Sequence, residues 1–149
     1  MKVAQRTTYN KKNIKLNLIE VPRPTMNENQ VLIKVSAAGV NPLDNMISRG
    51  EVEMIVPYKL PQIAGNEVVG IVESVGNQVN NLQVGDRVFG RLPLDHIGAF
   101  AEYVAVDSQA LAKVPDYLSD EEAAAVPLTA LTIMQALELM GAQAGKTIF

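Results

Sequence analysis

The chain of 149 residues carries 13 Lys and Arg against 16 Asp and Glu, a net charge of −3, and 48% of its residues are hydrophobic. Such a length gives one domain with a sizeable core, or one domain and part of a second. The scattered basic residues form no stripe for nucleic acid or anionic lipid, so we expect neither partner. The absence of cysteine excludes disulfides, thiolate metal sites and a thiol nucleophile. Because no apolar run approaches the roughly 18 residues of a membrane span, we expect a soluble, cytoplasmic protein.

Up to about Ala112 the hydrophobic pattern predicts β-strands. Apolar and polar residues alternate over residues 14–18 and 31–35, which is the period of a strand with one buried face. Dense β-branched residues bounded by Gly, Asn or Asp predict further strands at residues 67–75, 87–91 and 99–106. Glycines recur through this region and favour bends and bulges, so a small β-barrel fits better than a flat sheet.

Two long stretches, residues 38–64 and 92–98, lack a strand pattern. Loops of this length inside a compact domain are more often functional than idle, so we expect any site to lie there. The second stretch holds His96, the sole histidine, which would need carboxylates such as Asp44, Glu67 or Asp95 to bind a metal. No spacing rule supports that set, and a solvent-exposed loop histidine is the simpler interpretation.

The residues after Pro115 predict helices. Ser119 and Glu122 have the spacing of a capping box, which predicts a helix start, and Pro127 predicts the first residue of a second helix that ends at Gly141. The glycines of residues 141–147 superficially suggest a phosphate loop, but the spacing is one residue short and the segment follows a helix. We interpret it as a helix C-cap and turn, with residues 146–149 opening the first strand of another domain.

Residues 37–44 leave two interpretations open. Gly39, the Asn41–Pro42 step and Asp44 together are typical of a turn that leads into a short capped helix. The same polar side chains could line a site, but the residues taken alone favour the turn interpretation.

Five motifs in order resemble the medium-chain dehydrogenase/reductase superfamily, most closely its zinc-free quinone oxidoreductase branch. They are AGVNPLD at residues 38–44, AGNEVVG at 64–70, VGDRV at 84–88, GAFAEYV at 98–104 and LSDEEAAAVPLTALT at 118–132. The resemblance implies a GroES-like, partly open β-barrel, mainly β with short helices, as a catalytic domain over residues 1–118. Residues 119–149 would then supply the connecting helices and first strand of a truncated Rossmann nucleotide-binding domain.

The resemblance also implies a reaction. Asn66 falls where zinc-dependent members carry a histidine ligand and Asn41 falls near the position of a cysteine ligand, so the implied enzyme uses no metal. Without that Lewis acid, an acceptor that needs little activation is favoured. The implied activity is hydride transfer from NADPH to a small-molecule quinone or α,β-unsaturated carbonyl. Family members commonly form homodimers through the Rossmann domain, so the resemblance allows a homodimer of the full-length protein.

The resemblance assigns site residues one by one. Asn41 and Asp44 would be catalytic, with Asp44 also capping the helix behind Asn41; Asn41 and Thr129 would contact the cofactor; Met46 and Tyr58 would line the substrate pocket. Branch members often place aromatic hydroxyls soon after the Asn-Pro motif, where this chain has Met46 and Val52. The alternative function is a stand-alone GroES-like binding or scaffold domain without catalysis.

Overall fold

The computed structural model describes residues 1–145 and 147. Within that range the strands are β1 (Lys2–Arg6), β2 (Asn17–Glu20), β3 (Gln30–Ala37), β4 (Gln62–Ile63), β5 (Glu67–Val75), β6 (Arg87–Arg91), β7 (Tyr103–Asp107) and β8 (Ala112–Lys113). The α-helices are α1 (Pro42–Arg49), α2 (Asp120–Ala124) and α3 (Pro127–Leu139). The strand predicted at residues 146–149 lies outside the described residues.

The strands form two antiparallel sheets. One has the order β2-β1-β4 and the other the order β7-β3-β5-β6-β8. A bridge from Val3 to Ala101, and a hydrogen bond from Ala4 N–H to the Phe100 carbonyl at 2.8 Å, join β1 to the segment before β7. The sheets therefore meet along one side and leave a partly open barrel, as the resemblance implied.

The core fills the concave side of the larger sheet and consists mainly of valine. Alternate residues of β3 and β5 point inward, as the period of two requires. The fully buried members include Val31, Ile33, Val68, Val72, Val88 and Leu92. A second cluster, Val69, Val114, Ala123 and Ala124, packs α2 against β5. These contacts fix α2 on the barrel.

Two strand predictions need correction, and one strand was not predicted. The second strand covers Asn17–Glu20 rather than residues 14–18, and Leu18, predicted to be buried, is 84% exposed because it lies on the same face of β2 as the exposed Glu20. The strand predicted at 99–106 begins only at Tyr103, since Gly98 has a φ of 153° and residues 98–100 bond to Ala64 and Gly65 instead. The pattern did not specify β1, whose alternation is interrupted by polar residues.

The helices begin where capping chemistry predicts. Ser119 caps α2 by accepting from Glu122 N–H, while the Glu122 carboxylate accepts from Ser119 N–H at 2.9 Å, which is the reciprocal capping box. Pro127 is the first residue of α3. Gly141 follows its end with a φ of 60°, confirming the helix C-cap. Among the described residues, no helix is both long and apolar enough to cross a bilayer.

Candidate functional site

Helix α1 holds the predicted residues Asn41 and Asp44 at its first turn. Asp44 Oδ2 accepts the Asn41 backbone N–H at 2.8 Å, so the acidic side chain satisfies one of the N–H groups that a helix start leaves unpaired. Both residues are buried. The short predicted helix is therefore present, and Asp44 caps it.

Asn66 is completely buried and bonds to the same carboxylate. Its Nδ2 donates to Asp44 Oδ1 at 2.7 Å, which fixes the orientation of the amide because an ionised carboxylate only accepts. Asn66 Oδ1 has no hydrogen-bond partner. Asn66 thus serves as a donor to Asp44.

Glu67 is the hub of the site, because its carboxylate bonds one residue at the start of α1 and one at the start of α3. From the sequence it was considered only as a possible metal ligand. It is 1% exposed at the start of β5. Its Oε1 accepts from Asn41 Nδ2 at 2.5 Å, and its Oε2 accepts the Leu128 backbone N–H in the first turn of α3 at 2.8 Å. One carboxylate therefore connects α1 to α3, and the positive end of the α3 dipole favours its negative charge.

Gly39 makes room for this hub. A Cβ at residue 39 would lie 2.5 Å from the Ala124 carbonyl oxygen and would overlap Glu67 Oε1. A side chain there would displace either the carboxylate or the end of α2. The requirement is close packing rather than a left-handed backbone.

Thr129 is exposed at the beginning of α3, next to the residue that Glu67 bonds. Its hydroxyl donates to the carbonyl of Ala125, the residue that follows α2, at 2.7 Å. Since the hydroxyl proton is engaged there, the oxygen remains as an acceptor for a bound molecule. Thr129 therefore directly follows the residue that bonds one oxygen of Glu67, while Asn41 bonds the other oxygen.

Met46 and Tyr58, the two residues predicted to line the substrate pocket, differ in exposure and in surroundings. Met46 is 39% exposed on α1, whereas Tyr58 is half-buried with its ring 5.4 Å from the Arg6 guanidinium carbon. Burial raises the pKa of Tyr58, against the opposing effect of Arg6 and Arg91, and its hydroxyl has no hydrogen-bond partner. His96 is exposed in a short 3-10 turn, as predicted.

Arg6 was missed by sequence reasoning. It is 1% exposed at the end of β1, and its Nη1 donates to Ser48 Oγ at 3.3 Å. Ser48 Oγ in turn donates to the Asp44 carbonyl at 2.7 Å, so Arg6 is linked to the polar network of α1. Burial lowers the pKa of Arg6. A basic residue in an unpredicted strand gives no sequence signal of burial.

Comparison with known proteins identifies the architecture. The sequence-family model of the alcohol dehydrogenase GroES-like domain matches residues 27–116 of this chain. The chain belongs to this family. It lies in the quinone oxidoreductase-like branch of the medium-chain dehydrogenase/reductase superfamily. The GroES-like chain is 38% identical to 2-methylene-furan-3-one reductase from Solanum lycopersicum, with 99% of this chain and 39% of that protein covered.

Solved structures give the same result for the GroES-like fold. The quinone oxidoreductase from Coxiella burnetii superposes with a TM-score of 0.88 at 34% identity, covering 97% of this chain and 46% of that one. The Escherichia coli quinone oxidoreductase complexed with NADPH superposes with a TM-score of 0.82 at 27% identity, covering 94% and 41%. The chain spans less than half of the length of these relatives.

Proposed function

We propose that the chain is the catalytic domain of a zinc-independent, NADPH-dependent oxidoreductase that reduces a quinone or an α,β-unsaturated carbonyl compound. The single observation that carries the proposal is the Glu67 hub, which joins Asn41 to the first turn of α3. The names of the relatives, a furanone reductase and quinone oxidoreductases, support this class of acceptor.

The donor set of the site supports zinc independence. No cysteine is present in the sequence, and within residues 1–145 and 147 no three His, Asp or Glu side chains converge on a point that could hold a metal ion. By the resemblance, Asn66 stands where zinc-dependent members carry a histidine, and its Nδ2 donates to Asp44. An amide nitrogen is a donor only and, unlike an imidazole nitrogen, has no lone pair to offer a metal.

The side chains around Glu67 suit a nicotinamide cofactor. When bound, NADPH would supply the hydride, and a proton must also reach the acceptor, on oxygen for a quinone and on the α-carbon for an enone, to complete the two-electron reduction. Asn41 uses one amide hydrogen on Glu67 and has a second for the acceptor oxygen, where negative charge develops. Thr129 offers an exposed hydroxyl oxygen to the cofactor. Asp44 holds the turn that positions Asn41.

The test measures NADPH oxidation by the protein expressed from its complete coding sequence, with quinones, enones and simple aldehydes as acceptors. We expect turnover with quinones or enones and little with aldehydes. Asn41→Ala should lower kcat by roughly 10²-fold, because a donor to the developing oxyanion is lost. Stopped-flow absorbance of NADPH gives the rates, and thermal unfolding verifies that the variant remains folded at the assay temperature.

Asp95→Ala is the matched control, since Asp95 is exposed in the 3-10 turn of residues 94–96. It should retain the kcat of the parent. Equal rates for the Asn41 and Asp95 variants would remove Asn41 from the chemistry. The absence of oxidation with every acceptor would favour the binding or scaffold domain instead. Unchanged activity after chelation and dialysis is expected of an enzyme without zinc.

A further inference from the structure

A small polar cavity lies beside the end of β1, apart from the Glu67 hub. Its volume is about 150 Å³, room for roughly five water molecules or one small oxyanion with water at about 30 Å³ per molecule. Hydroxyls, amides and two cationic side chains make up its polar lining, which consists of Arg6, Thr8, Asn10, Asn13, Lys15 and Ser48.

Arg6 is the buried wall of this cavity. The guanidinium donates to Ser48 Oγ and, at 3.1 Å, to Gln62 Oε1, while its Nε has no partner. Arg6 takes part in none of the four ion pairs formed among the described residues. A buried charge without a counterion costs free energy, so the unused N–H groups favour an anion.

The charges around the cavity have one sign. Both charged residues of the lining, Arg6 and Lys15, are cations. Asp44 is the carboxylate whose charge acts on Arg6, but its oxygens accept from Asn41 N–H and the Asn66 amide. The Tyr58 ring packs on Arg6 and contributes no negative charge as a neutral phenol. Arg6 therefore has hydrogen-bond partners and the more distant charge of Asp44, but no carboxylate within ion-pair distance in the described part of the chain, and its Nε has no partner.

We propose that this cavity binds one carboxylate or phosphate group, held by the buried Arg6 and the exposed Lys15. Arg6 supplies charge-assisted N–H donors, and Lys15 supplies a second cation at the exposed rim. The hydroxyl of Thr8 and the amides of Asn10 and Asn13 can complete the hydrogen bonds of an oxyanion. Binding does not depend on the proposed redox function, and is measured without turnover.

The experiment titrates the chain with sodium phosphate and, separately, with sodium acetate, against NaCl of matched ionic strength. Binding to the folded state alone raises Tm with saturation, so we expect such a rise with phosphate, acetate or both and not with NaCl. A rise in Tm with phosphate alone identifies a phosphate group as the ligand, and a rise with acetate alone identifies a carboxylate. The ¹⁵N resonance of Arg6 Nε should shift along the same titration curve.

Two variants and a control complete the test. Arg6→Gln should abolish the saturable response, and Lys15→Gln, which changes an exposed residue, should weaken the apparent Kd by roughly tenfold. Arg23→Gln removes an exposed arginine outside the cavity and should leave the response unchanged. Equal Tm changes in NaCl, a static Arg6 Nε resonance or an unaltered Kd in Lys15→Gln would each overturn the proposal, even if Arg6→Gln fails to fold.

Discussion

Glu67 is the residue on which the position of Asn41 depends most directly. Both of its oxygens accept N–H groups, one from a side chain and one from the backbone of another helix. Hydrogen bonds to a charged group contribute about 1.5–3 kcal/mol, roughly twice the contribution of neutral ones. A neutral isostere therefore tests the hub without changing its volume.

We predict that Glu67→Gln lowers the free energy of unfolding by roughly 1–3 kcal/mol. The glutamine amide group can present an oxygen to only one of the two donors and brings its own N–H groups toward the other. Urea unfolding followed by circular dichroism measures the change.

Glu102→Gln is the control for this variant, because Glu102 is exposed and accepts a single backbone N–H, from Lys2. Its effect should stay within about 0.5 kcal/mol. Equal stability of the two variants would show that the buried carboxylate contributes no more than a surface one.

At this scale the sequence named two residues that the structure joins by a hydrogen bond, Asn41 and Asp44, because turn chemistry and the family motif coincide at residues 38–44. Their catalytic role stays a prediction. Arg6 and the connecting role of Glu67 were missed, because each depends on contacts between residues distant in sequence: Arg6 with Ser48, and Glu67 with Leu128. Periodicity carries no information about such pairs.

Among the elements, the edge strand β8 is held by a charged contact. It has only two residues, pairs with Val88 and Phe89 of β6, and both of its residues are exposed. Lys113 Nζ donates to Asp86 Oδ1 at 2.9 Å, and Asp86 Oδ2 accepts Gln83 N–H at 2.9 Å. The Lys113 hydrogen bond, followed by that of Gln83, lowers the pKa of Asp86 below its ordinary value of 3.8.

We predict that this contact stabilises the fold in a pH-dependent way. A carboxyl with a lowered folded pKa contributes stability above its ordinary pKa, and that contribution is lost as the pH falls through the folded value. Asp86→Asn should therefore unfold at a lower Tm than the parent at pH 7. The two Tm values should converge as the pH falls below 3.8.

Thermal unfolding from neutral to acidic pH measures this difference. Asp107→Asn is a useful control, because the Asp107 carboxylate caps a 3-10 turn through Gln109 N–H without a lysine partner in any ion pair among the described residues. A constant difference between parent and Asp86→Asn at all pH values would contradict the assignment.

The elements themselves were largely predictable. Bounds for β5, β6 and the starts of α2 and α3 followed from β-branched density and capping residues, which act locally. The position of β2 did not, since Leu18 fits the alternating pattern and yet lies on the exposed face of the strand. Structure that depends on interactions among neighbouring residues could be predicted from the sequence, whereas the pairing of distant segments could not.

For the whole molecule, α3 differs from the rest of the structure. The barrel core and α2 bury valines and alanines, whereas α3 exposes several large apolar side chains, among them Leu131, Ile133, Met134 and Leu139. Ala130, Leu131 and Met134 line one wall of an apolar groove of about 520 Å³ whose other wall includes Phe89 and Leu111. The relatives are more than twice as long as this chain.

We predict that the 149-residue chain alone oxidises no measurable NADPH and binds it very weakly at most. The glycine-rich fingerprint that places a dinucleotide pyrophosphate on a helix N-terminus does not occur in the sequence. Asn41 and Thr129 alone offer few contacts to a large cofactor. Titration calorimetry measures the affinity, with the protein from the complete coding sequence as the positive control. Tight binding by the 149 residues would contradict the prediction.

The Glu67 carboxylate makes the tilt of α3 and the placement of Asn41 mechanically interdependent. A rotation of α3 that carries the Leu128 N–H away from Oε2 leaves half of a buried carboxylate unpaired, and the carboxylate can follow only by turning its other oxygen away from Asn41. Two hydrogen bonds thus couple a rotation of α3 to the orientation of the Asn41 side-chain amide at the N-cap of α1. Contacts that fix the angle of α3 therefore also fix the direction in which this amide points.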